Sequence, residues 1–524
     1  MRHAWLLAAA LVLTGCASAP IKKQDVPKLA QADARVLDGC YDCLIEARDT
    51  YNRVGVGKAR PLIIARLFET QLLIALREKE LSLDSALAFA RARELAREMP
   101  VAAEAQRYLA LAEAVPPEAH GTPRSELVAY HLQQRAFGAT INDELQWLRL
   151  ATVLREPVRQ YLSLAVDCGY MGRAGRPGRL GTSGDEWTAS LSKTDLVDAP
   201  PLVAYRAAIC QTLEVKALDR VHTAIPEFAE AGLYLGRAGI AQARETGGAQ
   251  ARELLAEARG RFVDSIAINF FSGHLSQFAG DCRTAIDFYD KVIARKPVHE
   301  DALLGRTACL SFLKRHEEAI AQATRIIEIS TDNYGDGYYW RAWNYHALTR
   351  LEPARADVER AKSLIAREDT FTLAGIIEHD QDDLPVADAD LNRAKTMDRA
   401  RMNCTARWYL ALVKMKQERW GDSSTHFEDA MNCYARNVAD SEARLQAIEA
   451  RADLDPAFKA QQILGFQTAI KEDRSQQYAA AFNTANQAAR GANLARASAF
   501  LEIAARDPDL AKPVGELRDI LKGG

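Results

Sequence analysis

The segment AIDFYDKVIARKPVHEDALLGRTACLSFLKRHEEAIAQATRI, residues 285–326, contains one helical pattern twice, at a spacing of 34 residues. Each copy starts at a small residue, Ala285 or Ala319, and has further core-type residues four and seven positions later. Positions i, i+4 and i+7 lie along one face of an α-helix. The segment therefore predicts two helices that each have one buried side.

The same pattern recurs six times between Gly232 and Cys433. The small residues are spaced by 34, 34, 35, 33 and 36 positions and are Ala251, Ala285, Ala319, Ala354, Ala387 and Ser423. The residues four positions later are Leu255, Tyr289, Ala323, Val358, Leu391 and Phe427, and those seven positions later are Ala258, Val292, Ile326, Ala361, Ala394 and Ala430. Repeats of this kind bury their apolar faces by stacking on one another. We therefore expect an all-α protein built as an α-solenoid of antiparallel helix pairs.

This period, with an alanine followed four residues later by a large apolar residue, resembles the tetratricopeptide repeat (TPR). The resemblance extends to the small residues of the first helices, which are Leu235-Gly236, Gly273 and Gly375. Gly280 lies at the interhelix turn before Ala285, and Pro297 closes that unit. The sequence departs from the family pattern at Ser423, and several units lack the leading aromatic residue. The resemblance implies the fold, but repeats of this family serve many unrelated processes.

The first fifteen residues predict a targeting segment. Arg2 supplies a positive charge, and the apolar run from Ala4 to Leu13 is too short to span a bilayer. The following Leu13-Thr14-Gly15-Cys16 resembles the bacterial lipoprotein processing box, which implies that Cys16 becomes the lipidated first residue. The alternative is an ordinary secretory signal with an incidental cysteine. Because Ala17 follows rather than aspartate, we expect an outer-membrane lipoprotein that faces the periplasm.

The remaining chain divides into four predicted regions. Residues 16–35 are expected to form a flexible tether, and residues 36–225 an N-terminal helical region with degenerate repeats. Residues 226–436 contain the TPR-like array, and residues 437–524 the C-terminal helices and cap. A glycine-rich, basic loop at 169–192 lacks the Gly-Lys-Ser/Thr of a phosphate-binding loop, so a surface loop is favoured over a phosphate site.

Eight cysteines besides Cys16 suit an oxidising compartment. Their number allows 105 pairings, and the sequence alone does not choose among them. The repeat geometry favours bonds between neighbours, because the ends of an antiparallel helix pair meet. The proposed pairs are Cys40 with Cys43, Cys168 with Cys210, Cys282 with Cys309, and Cys404 with Cys433, and the alternative is that some remain free, buried thiols.

Catalytic and cofactor motifs are few. Cys40 and Cys43 have the spacing of a redox pair, but they lie in a helical chain without the βαβ setting of thioredoxin-like proteins. No zinc-protease motif or nucleophile turn occurs, and the ten histidines lack metal-ligand spacing. With a net charge of -3 and scattered lysines and arginines, nucleic acid is not the expected partner. We expect no enzyme activity, no cofactor and no metal.

A protein partner is expected on the concave side, where the first helices of successive TPR units lie. Counting from each repeat gives these candidates for partner binding: Phe270, His274, Tyr339, Trp343, His346, Ile376 and Trp408. Aromatic and imidazole groups bind peptide segments by apolar contact and hydrogen bonding. The alternative is that Tyr339, Trp343 and Trp408 pack between adjacent helices.

The favoured function is that of a membrane-anchored scaffold for other envelope proteins or peptide segments in cell-envelope assembly. A different class of function is a solute-binding accessory component of a transporter, in which the stack encloses a small molecule. The sequence does not identify the partner in either case.

Overall fold

The protein is helical throughout the part that the computed structural model describes. That part comprises residues 23–54, 60–115, 117–118, 121–123, 126, 147–148, 151, 153–171, 199–210, 215–240, 248–330, 335–400, 402–452, 454 and 456–523. Within these ranges there is no β-strand, and no helix combines the length and apolar character needed to cross a membrane. The expected all-α class is thus confirmed.

The chain forms two compact units, of which the first comprises residues 1–241 and 250–275. Its described helices are α1 (Val26–Asp38), α2 (Tyr41–Val54), α3 (Arg60–Glu80), α4 (Ala86–Glu98), α5 (Ala102–Ala114), α6 (Glu156–Met171), α7 (Pro201–Cys210), α8 (Val215–Ala224), α9 (Ala229–Ile240), α10 (Ala249–Arg261) and α11 (Ile266–Phe278). The division between the two units falls inside α11. In the first unit, a core of apolar residues from α1 to α7 is formed around Tyr51, Phe68 and Tyr161.

The second unit comprises residues 242–249 and 276–524. Its described helices are α12 (Cys282–Arg295), α13 (Glu300–Phe312), α14 (His316–Ile329), α15 (Gly335–Ala347), α16 (Leu351–Leu364), α17 (Glu368–Asp380), α18 (Leu384–Met397), α19 (Cys404–Lys416), α20 (Trp420–Ala450), α21 (Pro456–Arg490), α22 (Leu494–Ala504) and α23 (Ala511–Gly523). Consecutive helices from α12 to α22 pack against each other, as expected for stacked helix pairs.

The residues of the repeated i, i+4, i+7 pattern form the core of the helix pairs. All eighteen residues predicted from the pattern, six at each of the three positions, are buried, and none exceeds 4% exposure. Ser423, which replaces alanine in the last unit, is buried because its hydroxyl donates to the carbonyl of Ala411 at 2.9 Å. The predicted α-solenoid of TPR-like helix pairs is therefore confirmed.

The turn inside each helix pair has one residue in the left-handed backbone region. It lies five positions before the small residue of its unit, at Gly280 (φ 82°), Lys314 (60°), Thr349 (58°), Asp382 (66°) and Glu418 (57°). Glycine adopts this region without a steric penalty, whereas other residues do so at a cost. Only one of the five turns has glycine, so the turn geometry follows from packing of the two helices rather than from the turn residue.

Two glycines allow the helices of a pair to approach closely. A Cβ at Gly375 in α17 would lie 2.4 Å from Cγ of Leu391 in α18, and one at Gly236 in α9 would lie 2.8 Å from Cγ of Leu255 in α10. In both pairs the glycine contacts the residue that lies four positions after the small residue of the repeated pattern. These are the contacts that the resemblance to TPR units implies for Gly236 and Gly375.

Some predicted boundaries differ from the observed elements. Helix α1 begins at Val26 and buries Leu29, Ala32 and Val36, so the predicted tether of residues 16–35 is folded in its second half. The tether was predicted from its prolines, but Pro27 lies in the first turn of α1, where proline is tolerated. Helix α20 passes through the predicted boundary at 436/437 without a break. Residues 1–22, which include Cys16, and residues 172–198 lie outside the described residues; of the predicted glycine-rich loop at 169–192, only 169–171 are described, and they end α6.

Candidate interaction surface

The first helices of the repeat units lie along one side of the second unit. Helices α13, α15, α17 and α19 each contact the next first helix in the series, whereas the second helices α14, α16 and α18 are farther from one another. In a curved stack, the helices that approach each other lie on the inner side. The inner side is therefore lined by α13, α15, α17 and α19.

Four aromatic residues cluster on this side at the junction of α13 and α15; we call them the aromatic patch: Phe312, Tyr339, Trp340 and Trp343. Phe312 is 66% exposed and Trp343 is 42% exposed, Trp340 is half-buried, and Tyr339 lies beneath them at 8%. The ring centroids of Phe312 and Trp340 are 5.9 Å apart, and those of Trp340 and Trp343 are 6.4 Å apart, both in edge contacts. Large exposed aromatic residues in contact with one another are typical of binding surfaces.

A buried asparagine fixes the backbone below the patch. Asn344 Nδ2 donates to Ser311 Oγ of α13 at 2.8 Å and to the carbonyl of Trp340 at 2.7 Å. Its Oδ1 lies 2.8 Å from Nδ1 of His316 in α14. Because one buried side chain joins three helices, the spacing between Phe312 and Trp340 is set by the fold.

Charged groups at the edge of the patch neutralise one another. The guanidinium of Arg367 lies 5.7 Å from the ring centroid of Tyr339, and it donates to Asp336 at 2.6 Å and to Asp369 at 3.2 Å. Burial raises the pKa of Tyr339, so its hydroxyl stays neutral at physiological pH. The patch is therefore an apolar surface with a polar rim but without a strong charge of either sign.

A polar chain continues along the inner side from α15 to α19. Nε2 of His346 lies 2.8 Å from Oδ2 of Asp380, and Nδ1 of His379 lies 2.9 Å from Oδ1 of the same carboxylate. The His379 ring meets Tyr409 edge-on at 5.3 Å between centroids. Burial alone would raise the pKa of Asp380, but the hydrogen bonds with His346 and His379 outweigh it and lower that pKa. Asp380 therefore stays ionised and orients both imidazoles.

The seven candidates predicted from the sequence differ in exposure and in packing. Trp343 is exposed and His346 is half-buried, and both lie on the inner side. Tyr339 and Ile376 are each 8% exposed, so they offer little area to a partner. Trp408 is half-buried, and its ring packs on Phe427, with centroids 5.2 Å apart, and on Tyr434. This agrees with the alternative that Trp408 packs between adjacent helices.

The remaining two candidates, Phe270 and His274, belong to the first unit. Phe270 is 6% exposed, and its ring lies 5.8 Å from that of His274 and 6.0 Å from that of Phe271. Phe312, which the counting did not select, is the most exposed member of the patch. Phe312 is the last residue of α13. A search for large apolar residues in the last turn of each first helix would have selected it.

The cysteines are bonded in two of the proposed pairs. Disulfides join Cys40 to Cys43 and Cys404 to Cys433. Cys282 and Cys309 are buried free thiols that lie against each other, so their bond stays a prediction. The side chains of Cys168 and Cys210 lie outside the described residues.

A cluster of three carboxylates is the best geometric candidate for a cation among the described residues. Glu359, Glu378 and Asp390 place oxygens within 4.8 Å of one another. Lys362 occupies the centre of this cluster, since its Nζ hydrogen-bonds to Asp390 and lies 2.8 Å from Glu359 and 3.6 Å from Glu378. The ammonium group therefore supplies the positive charge that the carboxylates need.

Comparison with known proteins agrees with this architecture. The model of the family Iml2/Tetratricopeptide repeat protein 39 matches residues 199–375, about a third of the chain. A search of curated proteins gives no match.

Solved structures with a similar fold include the APC/C hetero-tetramer Cut9-Hcn1, with 11% identity, a TM-score of 0.39, and coverage of 86% of this chain and 95% of that chain. A tetratricopeptide repeat protein from Parabacteroides merdae has 13% identity, a TM-score of 0.37, and coverage of 55% and 98%. YrrB, described as a TPR protein with an unusual peptide-binding site, has 16% identity, a TM-score of 0.29, and coverage of 35% and 93%.

The fold and the family match define the class of this chain: it is a TPR-like repeat protein. Proteins of this class are generally non-catalytic scaffolds for interactions between proteins.

Proposed function

We propose that the protein is a lipid-anchored, periplasm-facing scaffold that holds a segment of another envelope protein against the aromatic patch. The observation that carries the proposal is the exposure of Phe312 and Trp343 beside Trp340 on the inner side of the repeats. Tryptophan anchors dominate the binding energy of many protein interfaces, because they bury a large area at a small entropic cost.

The partner segment is expected to carry large apolar side chains. The charges at the rim of the patch are already paired, which disfavours a strongly charged ligand. The side chains that fit are aromatic or branched aliphatic groups of a peptide, since these pack against ring faces and edges. The polar chain from His346 to Tyr409 lies next to the patch and offers hydrogen bonds to the peptide backbone.

The envelope half of the proposal rests on the predicted lipidation of Cys16. Several acyl chains on one residue hold a protein stably at a membrane, which a single chain does not do. Helix α1 begins at Val26, ten positions after Cys16, and such a length spans at most roughly 35 Å. The first unit would then lie near the membrane surface, which favours partners that are themselves embedded or anchored there.

Truncation of the central tryptophan should weaken partner capture without unfolding the repeats. For Trp343→Ala in the full chain, we expect capture of the partner to fall about tenfold or more, which is the effect of losing roughly 1.4 kcal/mol or more of binding free energy. The measurement is quantitative photo-crosslinking in the native envelope from a probe at Phe312, followed by mass spectrometry of the linked peptides.

Leu464→Ala is the matched control, because Leu464 is 65% exposed and lies on α21, away from the patch. It should leave the crosslinked peptides unchanged. Equal capture by wild type and Trp343→Ala, with helicity preserved in both, would exclude the patch as the binding surface. A bound metabolite in native mass spectrometry, without a crosslinked protein, would instead support the solute-binding alternative.

The anchor is tested separately through Cys16. Cys16→Ser should abolish incorporation of a radiolabelled fatty acid and move the protein from the membrane to the soluble fraction of the envelope, because the thioether-linked lipid cannot form. The control is Cys282→Ser, which should remain labelled and membrane-bound. Unlabelled wild-type protein in the soluble fraction would rule out the lipoprotein assignment while leaving the binding test valid.

A further inference from the structure

Two free thiols lie at the start of the repeat array in the second unit. Cys282 is the first residue of α12, and Cys309 lies in the last turn of the next helix, α13. Their burial differs, since Cys282 is 8% exposed and Cys309 is fully buried. They lie against each other but are unbonded, unlike the pairs Cys40–Cys43 and Cys404–Cys433.

The surroundings make the two sulfurs chemically unequal. Burial raises the pKa of both thiols, but the contact with Cys309 partly offsets this at Cys282, whereas the contact with Cys282 adds to the rise at Cys309. Cys282 also lies in the first turn of a helix, a position that favours the thiolate. Asp281, the N-cap of α12, acts against the thiolate at both positions.

The other ionisable group next to the pair is the hydroxyl of Tyr289 on α12. Burial raises the pKa of this hydroxyl, and the hydroxyl donates a hydrogen bond to Oε1 of Gln277 at 2.6 Å. It therefore remains protonated and is directed to the amide. Of the two residues, only Cys282 has any solvent exposure, so a reaction with an external reagent is expected to begin there.

We propose that Cys282 and Cys309 form a reversible redox site, in which Cys282 attacks a small-molecule disulfide and Cys309 then closes an intramolecular bridge. The site adds a covalent modification to the protein and does not depend on the scaffold role or on its partner. The bridge would connect the start of α12 to the last turn of α13, one turn before Phe312 of the aromatic patch.

The reaction balances with one oxidant molecule such as glutathione disulfide. The Cys282 thiolate attacks one sulfur of the oxidant, whose sulfur–sulfur bond breaks and releases one glutathione thiolate. Cys309 then attacks Sγ of Cys282 and expels the second glutathione thiolate, which takes up the proton of Cys309 as it leaves. The two cysteines lose two electrons and two protons in total, and the oxidant is reduced to two thiols.

The test is a redox titration of the full chain in mixtures of reduced and oxidised glutathione. Samples are quenched with acid, alkylated and mapped by peptide mass spectrometry, so that each cysteine is read separately. We expect a peptide that links Cys282 to Cys309 to appear as the oxidised fraction rises and to disappear when reduced glutathione is restored. Free thiols at both positions across the whole titration would overturn the proposal.

Two variants test the order of attack. In Cys309→Ala, glutathione should accumulate on Cys282 as a mixed disulfide, because no second thiol is available to displace it. In Cys282→Ala, Cys309 should stay unmodified, because it is fully buried. Modification of Cys309 at the rate seen for Cys282 would refute the assigned order, and the wild-type titration remains decisive if either variant folds poorly.

Discussion

Replacing Arg77 with methionine is expected to destabilise the first unit by about 3–5 kcal/mol. Arg77 is fully buried on α3, and its Nε and Nη2 donate to the carbonyl of Gly39 at 3.1 and 2.9 Å. Its Nη1 donates to Glu80 at 2.6 Å, and its guanidinium lies 4.0 Å from the ring centroid of Tyr205. Methionine matches much of the volume but donates no hydrogen bond, so a buried carbonyl and part of a buried carboxylate lose their partners.

The carboxylate keeps only one of its two arginines in this variant. In the wild type, burial alone would raise the pKa of Glu80, but the charges of Arg77 and Arg206 outweigh it and lower that pKa. The measurement is urea unfolding followed by circular dichroism. The control is Arg93→Met, whose side chain is 46% exposed and pairs with Glu113 at the surface, so a change within about 0.5 kcal/mol is expected. Equal stabilities for the two variants would contradict the prediction.

Replacing Lys362 with methionine should destabilise the second unit by about 3–5 kcal/mol at neutral pH. The change removes the ammonium group from among Glu359, Glu378 and Asp390, which come from three helices, α16, α17 and α18. Glu378 depends on this charge most, because it is fully buried and neither of its carboxylate oxygens accepts a hydrogen bond. Its pKa is raised by burial and by the charge of Asp390 even with Lys362 present.

The penalty should shrink as the pH is lowered. A carboxyl group whose pKa is higher in the folded than in the unfolded state contributes stability that is complete below its unfolded pKa, 4.5 for glutamate, and that is lost as the pH rises. In the wild type the folded pKa of Glu378 is about 8, and removing Lys362 raises it further, so the variant loses more stability through Glu378 than wild type only as the pH rises through about 8. Unfolding curves of both proteins at pH 6 and pH 9 measure the difference.

Lys395→Met is a matched control for this prediction. Lys395 occupies the same position in the next repeat, eight residues after Ala387, as Lys362 does after Ala354. It pairs with a single carboxylate, Asp429, and both side chains are partly exposed, so a loss of no more than about 1 kcal/mol without strong pH dependence is expected. If Lys395→Met lost as much stability as Lys362→Met, the prediction that the carboxylate cluster makes Lys362 more important than Lys395 would be wrong.

The proposed binding surface could be predicted only in part. The sequence located Trp343 because the repeat register shows which turn of the first helix faces the inner side. It could not separate Trp343 from Trp408, because both are large aromatic residues on first helices and differ only in what covers them. Phe427 and Tyr434 cover Trp408, whereas no such neighbours bury Trp343 to the same degree. The exposure of each tryptophan depends on which side chains of the neighbouring helices cover it, and the repeat register does not predict those contacts.

The pairing of the cysteines could also be predicted only in part from the sequence. The predicted end of the second helix at Cys433 was wrong, since α20 continues to Ala450, but the antiparallel packing still places Cys433 beside Cys404 at the start of α19, and the structure bonds them. Cys282 and Cys309 also come from successive helices, but their proximity by itself does not decide whether a bond exists. That depends on the oxidant and on the access of Cys282 to it.

The sequence by itself determined the helix pairs and their cores, because the i, i+4, i+7 spacing is a local property of a helix and repeats every 33 to 36 residues. Only the tertiary structure decided which polar groups are buried together, as around Arg77 and Lys362, and which aromatic residues remain at the surface. These groups come from helices that are distant along the chain, so their contacts arise from how whole helices pack and leave no periodic trace in the sequence.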